Sequence, residues 1–314
     1  KMKIGFIGLG NVGGKLAKSL LKNRYNLTVC DIDKNIINKF KKIGAKISIS
    51  PSNIAKNNDI IITCLPSPQA SSKVLESNDG IINGISKNKI WIEMSTTDSK
   101  EIIRLSKLIK KKGGHTLEAP VSGGCHRADK GNISIFVGGN KNSFNKVFPI
   151  LSRMGNKILY TGNLGSASIL KVITNYLATI NLVALGEAFT IAKKSKIDLK
   201  KSFKAIKISS GNSFVHETES QLILNGSYAI DFTMDLVLKD INLFNNLAKK
   251  YNTPLELSPK LIKIFKDGKK RYGPKAWSTM IVKRLEDDYM IKFRSKGFPS
   301  KLVDLNKKEK GIKV

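Results

Sequence analysis

Cysteine is scarce in this chain, with Cys30, Cys64 and Cys125 the only three among 314 residues. An odd count without a CxxC pair argues against a disulfide framework, and the first two end apolar runs of strand length. Buried free thiols in a reducing compartment are therefore expected. Histidine is as rare: His115, His126 and His216 stand far apart, with no HExxH or similar spacing, so no metal site is expected. Acids are short as well, 24 Asp and Glu against 55 Lys and Arg, for a net charge of +31. Taken alone, that excess points to nucleic acid or an anionic surface. The lysines, however, are spread along the chain among abundant Ile and Asn, densest at 107–112 and 301–314, and a solvated lysine coat needs no partner. Nucleic acid is not an expected partner, although the charge should draw in anionic small molecules at low salt. Only one long apolar stretch occurs, at 176–192. Asn181, Glu187 and a length at the lower limit of about 17 residues make it a buried helix, so no membrane partner is expected. No leader is expected either, since the apolar residues from Met2 onward belong to a strand, and the chain reads as cytoplasmic.

What is present begins at the first strand. Ile4 to Ile7 is an apolar run that enters Gly8-Leu9-Gly10-Asn11-Val12-Gly13, and Lys15 to Leu21 carries helical spacing with Leu16, Leu20 and Leu21 on one side. Each glycine then has a physical job: Gly8 permits a tight turn, Gly10 lets the backbone approach a pyrophosphate, and Gly13 lets the helix pack on the strand. The helix N-terminus offers N–H groups and a positive dipole end to the phosphates. A second strand, Leu27 to Cys30, leads to Asp31, near the spacing at which a carboxylate binds the ribose 2′-OH and repels a 2′-phosphate. The strand, turn, helix, strand and acid describe a dinucleotide pocket, with NAD favoured over NADP. Two other readings stay open: Asp31 or Asp33 opens a turn or caps the helix near Asn35, and Lys34 softens the repulsion.

The first half alternates strand runs with helical segments, at Ile60 to Leu65, Ile90 to Met94, His115 to Leu117 and Ile133 to Val137. That is an α/β, doubly wound parallel sheet of the Rossmann type, expected over residues 1–164. Ligands of such sheets sit beyond the strand ends, here Leu65-Pro66-Ser67, Ser95-Thr96-Thr97 and Pro120-Val121-Ser122-Gly123-Gly124. From Ser166 onward the alternation stops. Residues 166–195 read as one helix of about 45 Å, apolar around most of its circumference and therefore buried between domains or subunits. Further helices are expected at Leu199 to Ile208, Asp235 to Tyr251, Ser258 to Asp267 and Ala276 to Leu285. An all-α domain led by the long interdomain helix thus spans 165–292, followed by a flexible lysine-rich tail at 293–314. Within the long helix, Lys171 and Asn175 share a face. A lysine among Ile169, Leu170, Val172 and Ile173 meets a cleft or snorkels to the surface; in a cleft, desolvation lowers its pKa towards that of a usable general acid or base.

These stretches together resemble the 3-hydroxyisobutyrate dehydrogenase family, the short β-hydroxyacid dehydrogenases related to 6-phosphogluconate dehydrogenase. The likeness rests on Gly5 to Gly13, Glu118-Ala119-Pro120-Val121-Ser122-Gly123-Gly124, Gly162 to Asn175 and Leu238-Lys239-Asp240. It implies a homodimer or homotetramer and a small carboxylate substrate. It places the catalytic lysine on Lys171, the substrate-orienting asparagine on Asn175 and the carboxylate-binding loop on Ser122, Gly123 and Gly124. Cofactor contacts fall on Gly8, Leu9, Gly10, Asn11, Val12, Gly13, Asp31, Leu65, Pro66 and Thr96, with Lys239 near nicotinamide and substrate.

Departures narrow what carries over. Val12 replaces a common methionine, Glu118 the usual aspartate, Thr174 the first of two asparagines, and Ala276 a frequent acid. Cys125-His126-Arg127 fills a stretch that is generally small; His126 or Arg127 reaches a second anionic group, or the loop faces solvent. The leading expectation is NAD-dependent oxidation of a 3-hydroxyisobutyrate-like acid. The alternatives are an NAD(P)H-dependent reductase of glyoxylate, succinic semialdehyde or tartronate semialdehyde, and a catalytically silent scaffold that binds polyanions.

Overall fold

The computed structural model describes residues 2–314. The chain divides into two units, residues 1–171 with 304–314, and residues 172–303. In chain order the first contains β1 (Ile4–Ile7), α1 (Gly13–Lys22), β2 (Leu27–Cys30), α2 (Lys34–Lys42), β3 (Lys46–Ile47), α3 (Pro51–Asn57), β4 (Ile60–Thr63) and α4 (Pro68–Glu76). There follow β5 (Ile90–Glu93), α5 (Ser99–Lys111), β6 (His115–Glu118), β7 (Val121–Ser122), α6 (Gly124–Lys130), β8 (Ile133–Gly139), α7 (Lys141–Met154), β9 (Gly155–Gly162) and, from the chain's end, β10 (Ile312–Lys313).

Strands β1, β4 and β5 are buried throughout and apolar but for Thr63 and Glu93 at two strand ends, as a sheet covered by helices on each side requires. The strand order β3-β2-β1-β4-β5-β6 is all parallel. Beyond β6 the expected parallel pattern changes. The intervening residues form β7, which pairs antiparallel with β8, and α6 between them, so β8 lies antiparallel to β6; β9 and β10 then add in parallel. Cys64, expected to be buried, is half-buried, whereas Cys30 is buried and its thiol is pushed up to about 11 by that burial; Cys30, Cys64 and Cys125 are all free.

The tail corrects the expected flexible segment. Asn132 is a buried amide, and buried amides need partners at both ends. Its Nδ2 donates to Asp304 Oδ2 at 3.0 Å, and its Oδ1 accepts from Glu309 N at 3.1 Å. Gly311 N donates to Ser152 O at 3.3 Å, and β10 pairs with the sheet edge at β9. Residues 304–314 thus finish the first unit. The expected boundary at 164/165 likewise moves to 171/172, inside the long helix.

That helix is α8 (Ser166–Lys194), followed by α9 (Leu199–Lys207), α10 (Phe214–Asn225), α11 (Met234–Lys250), α12 (Leu257–Tyr272) and α13 (Lys283–Tyr289). By length and composition α8 could cross a membrane. Its Leu182, Leu185 and Phe189 instead join the core of the second unit with Val237, Ile241, Phe265 and Phe293. Burial is less complete than its composition suggests, because Leu177 and Ile191 remain 52% and 68% exposed. The helix expected at Ala276 to Leu285 is a 3-10 turn, Ser278–Ile281, and then α13. Gly273 and Pro274 end α12 just before it. His216 is a satisfied core residue: one ring nitrogen meets Phe203 O and the other Ser220 Oγ, both at 2.9 Å.

Glu219 on α10 holds a buried Oε2 without a hydrogen-bond partner, and burial pushes its carboxyl up to about 8. The folded state binds this proton more tightly than the unfolded chain does. The group therefore contributes stability below the ordinary carboxylate range, and that contribution is lost as pH rises through about 8. Glu219→Gln should flatten the decline of melting temperature between pH 5 and 9 and add roughly 1–3 kcal/mol at the alkaline end. Parallel melting curves for the two proteins would contradict this.

Candidate active site

The turn after β1 is built around close approaches. Gly8 sits at φ +93°, and a Cβ there would strike Cys64 O; a Cβ on Gly13 would strike Gly8 O. Both are glycine because the chain itself leaves no room. Gly10 is different: nothing in the protein lies within 4 Å of where its Cβ would be. The space it leaves open is of the kind a ligand's approach to the backbone requires. Next to it, α1 starts at Gly13 with no side-chain cap from the preceding Val12 and no acid in its first turn, so the helix itself does not neutralise the positive end of its dipole. These residues fit the pyrophosphate of a dinucleotide.

Asp31 follows β2 and is tied to the same turn. Its Oδ2 accepts from Leu9 N at 2.6 Å, and its Oδ1 from Asp33 N at 2.8 Å. The capping role belongs to Asp33, whose Oδ1 accepts from Asn35 N at 2.8 Å. Asp31 therefore shapes the turn, while each of its oxygens keeps lone-pair capacity for a hydroxyl.

Leu65 and Pro66 lie past β4, and Thr96 past β5. Leu65 N donates to Ser95 Oγ at 2.7 Å, and Ser95 N and Oγ both reach Glu93 Oε1. Glu93 is fully buried, which pushes its carboxyl up although Ser95, Ser71 and Thr63 hold it down. Sequence reasoning missed this support. The available signal was an acid at the end of an otherwise apolar strand in an acid-poor chain.

Ser122 ends β7, pinned opposite Ser134 of β8, and Gly123 and Gly124 follow at φ +125° and +84°. Cys125, His126 and Arg127 lie on α6, which corrects the solvent-facing loop. A Cβ on Gly124 would be 3.1 Å from the His126 ring, and one on Gly123 would be 3.1 Å from Arg127 Cδ. Burial and the Arg127 charge lower the His126 pKa, so the ring tends to be neutral. Lys171, on the second turn of α8, is 7% exposed and does not snorkel.

The first unit thus gathers the turn, Asp31, Leu65, Pro66, Thr96 and Ser122 to Gly124 beyond the ends of β1, β2, β4, β5 and β7. The second unit holds a separate cluster. Asn175 Nδ2 donates to Asp240 Oδ2 at 2.6 Å, and Lys239 Nζ lies 3.1 Å from Asp240 Oδ1. A carboxylate can only accept, so Asp240 sets which way the Asn175 amide faces.

Residues 3–162 match the family described as the NAD binding domain of 6-phosphogluconate dehydrogenase. Residues 165–285 match the one described as NAD-binding of NADP-dependent 3-hydroxyisobutyrate dehydrogenase. The mitochondrial 3-hydroxyisobutyrate dehydrogenase of Rattus norvegicus is 34% identical over 264 residues, 82% of this chain and 79% of the relative. The chain belongs to the 3-hydroxyisobutyrate dehydrogenase family. It is an NAD(P)-dependent oxidoreductase of the β-hydroxyacid dehydrogenase class. Another member of the class, the 2-(hydroxymethyl)glutarate dehydrogenase of Eubacterium barkeri, is 30% identical over 85% of this chain and 89% of its own length. Among solved structures, a 3-hydroxyisobutyrate dehydrogenase from Salmonella typhimurium superposes with a TM-score of 0.82 at 23% identity, covering 90% of this chain and 100% of the other; at that identity the likeness speaks for the fold.

Proposed function

We propose that the protein oxidises a small β-hydroxy acid, 3-hydroxyisobutyrate or a close relative, to its semialdehyde or keto acid with NAD. The observation that carries this reading is Lys171, a lysine 7% exposed in an apolar helix that shares its face with Asn175. When bound, the nicotinamide supplies the hydride acceptor. Lys171 takes the hydroxyl proton as a neutral amine, or returns it as an ammonium in the reverse direction. Asn175, oriented by Asp240, and Lys239 hold the hydroxyl end of the substrate. Ser122, Gly123 and Gly124 hold its carboxylate. Gly8 to Gly13 cradle the pyrophosphate, Asp31 binds the adenosine ribose, and Leu65, Pro66 and Thr96 line the nicotinamide half.

The NAD preference rests on Asp31, whose charge opposes a 2′-phosphate. The second reading, a reductase that works with NADPH on a small aldehyde acid, draws support from the NADP-dependent family matched by residues 165–285. Assembly as a homodimer or homotetramer is supported by the exposed Leu177 and Ile191 on α8. A reducing compartment such as the cytoplasm suits three free thiols.

Initial rates with NAD and NADP across 3-hydroxyisobutyrate, 3-hydroxypropionate, glycerate, threonate and 4-hydroxybutyrate test the proposal. Turnover of one of these acids with an NAD preference of roughly tenfold or more is expected, a ratio worth about 1.4 kcal/mol. Asp31→Ser should narrow that ratio. Faster turnover with NADP would instead favour the reductase.

A further inference from the structure

Glu118 has no part in the chemistry described so far, yet its carboxylate is fully buried and takes four donors from one short segment. Oε1 accepts from Gly165 N at 2.6 Å and Ala167 N at 2.9 Å; Oε2 accepts from Ser168 N at 3.2 Å and from Ser168 Oγ. This segment is the first turn of α8, which has no acid of its own there. The first N–H groups of a helix lack intrahelical partners. In α8, Ser166 N and Ile169 N find Asn163 O and Gly165 O, and the two between them are served by Glu118. A carboxylate at this end also meets the positive end of the helix dipole. Room for it comes from Gly138, the residue opposite Glu118 on β8, where a Cβ would strike Glu118 Oε1.

Two consequences meet at this residue. Lys171 lies three residues beyond Ser168, within one turn of the clamped segment. In the other direction along the chain, Ser122 lies four residues beyond Glu118, and its strand is pinned to β8. Glu118 thus joins the start of α8 to the strand end from which the carboxylate-binding loop departs. A glutamate reaches one methylene further than an aspartate would, which suits a carboxylate shared among three residues of a helix terminus.

We propose that Glu118 is a positioning residue for Lys171, setting the height of the amine relative to the Ser122 to Gly124 loop; this rests on Lys171 being the proton acceptor. The test compares Glu118→Gln, Glu118→Asp and Lys171→Ala by kcat, KM, the pH profile of kcat, cofactor Kd and hydrogen exchange of the Gly165 to Ser168 amides. An amide in place of the carboxylate turns an N–H group towards donors. Glu118→Gln should therefore lower kcat roughly 10–100-fold through misplacement of the amine. It should also move the limb of the pH profile that Lys171 governs and speed exchange at those amides, with cofactor Kd within about twofold. Glu118→Asp keeps the charge and should recover part of the rate. If Glu118→Gln does not fold, Ser168→Ala removes one of the four donors and should shift kcat and the profile in the same direction by less. A wild-type kcat and pH profile beside a lowered melting temperature would overturn the positioning role alone, provided Lys171→Ala is inactive. Turnover retained in Lys171→Ala would overturn the acceptor reading, and this proposal with it.

Discussion

Replacing Lys171 with alanine should lower kcat roughly 10²–10⁴-fold, the usual worth of a positioned general base. Cofactor affinity should stay within about twofold, because the proposed role of Lys171 is proton transfer and not holding the dinucleotide. A buried lysine also packs its stem, so the alanine enzyme could lose activity through a cavity rather than a missing amine. Lys171→Met separates the two: it keeps most of the stem volume and removes the titrating nitrogen. Both variants are expected to be equally poor in kcat, with the methionine variant melting above the alanine variant because it keeps the packing of the stem. Initial rates, cofactor fluorescence titration and thermal melting read these three quantities. A methionine variant within about threefold of wild-type kcat would take Lys171 out of the chemistry.

How much of this molecule was legible in its sequence depended on the range of the constraint. Strands β1 and β2 fall at the predicted residues, and β4 and β5 within two, because a buried parallel strand is written locally as a short, mostly apolar run. The turn after β1 was legible for the same reason: Gly8 and Gly13 answer to atoms within the strand–turn–helix unit or the adjacent β4 end. The antiparallel entry of β8 was not legible, since alternation and apolar runs look alike in either strand direction. Missed as well were β9, with few consecutive apolar residues, and α10, whose apolar residues sit at its two ends around the polar run His216 to Gln221 and so form no helical stripe.

The supports of the site were harder to read than its named residues. Glu118 reaches Gly165, Ala167 and Ser168 across some fifty positions, and Asn132 reaches Asp304 across 172. Nothing local distinguishes such an acid or amide from a surface one. The lysine-rich composition of the tail misled for a related reason. Solvation of its lysines says nothing about Asp304, Gly311 or Ile312, which carry the contacts. A run of charge reports the exposed side of a segment, and the docked side can rest on two or three residues.

The segment after α13 shows the same principle with a larger energy. Glu286 is 1% exposed, and its carboxylate accepts from Tyr228 Oη at 2.6 Å, Phe293 N at 2.7 Å and Arg294 Nη1 at 2.7 Å. One acid therefore orders the chain leaving α13, seats Phe293 in the core and neutralises a guanidinium. Glu286→Ala should destabilise the protein by about 3 kcal/mol, since it orphans a buried hydroxyl and a buried amide and leaves Arg294 without its counter-charge. Arg294→Ala should cost less, because that side chain is 38% exposed and water can replace much of what it gives. Chemical denaturation with linear extrapolation measures both. The order of the two losses is the decisive quantity. If Arg294→Ala matched or exceeded Glu286→Ala, the ion pair itself would be holding the segment; the geometry instead assigns that role to the carboxylate's contacts with Tyr228 and Phe293.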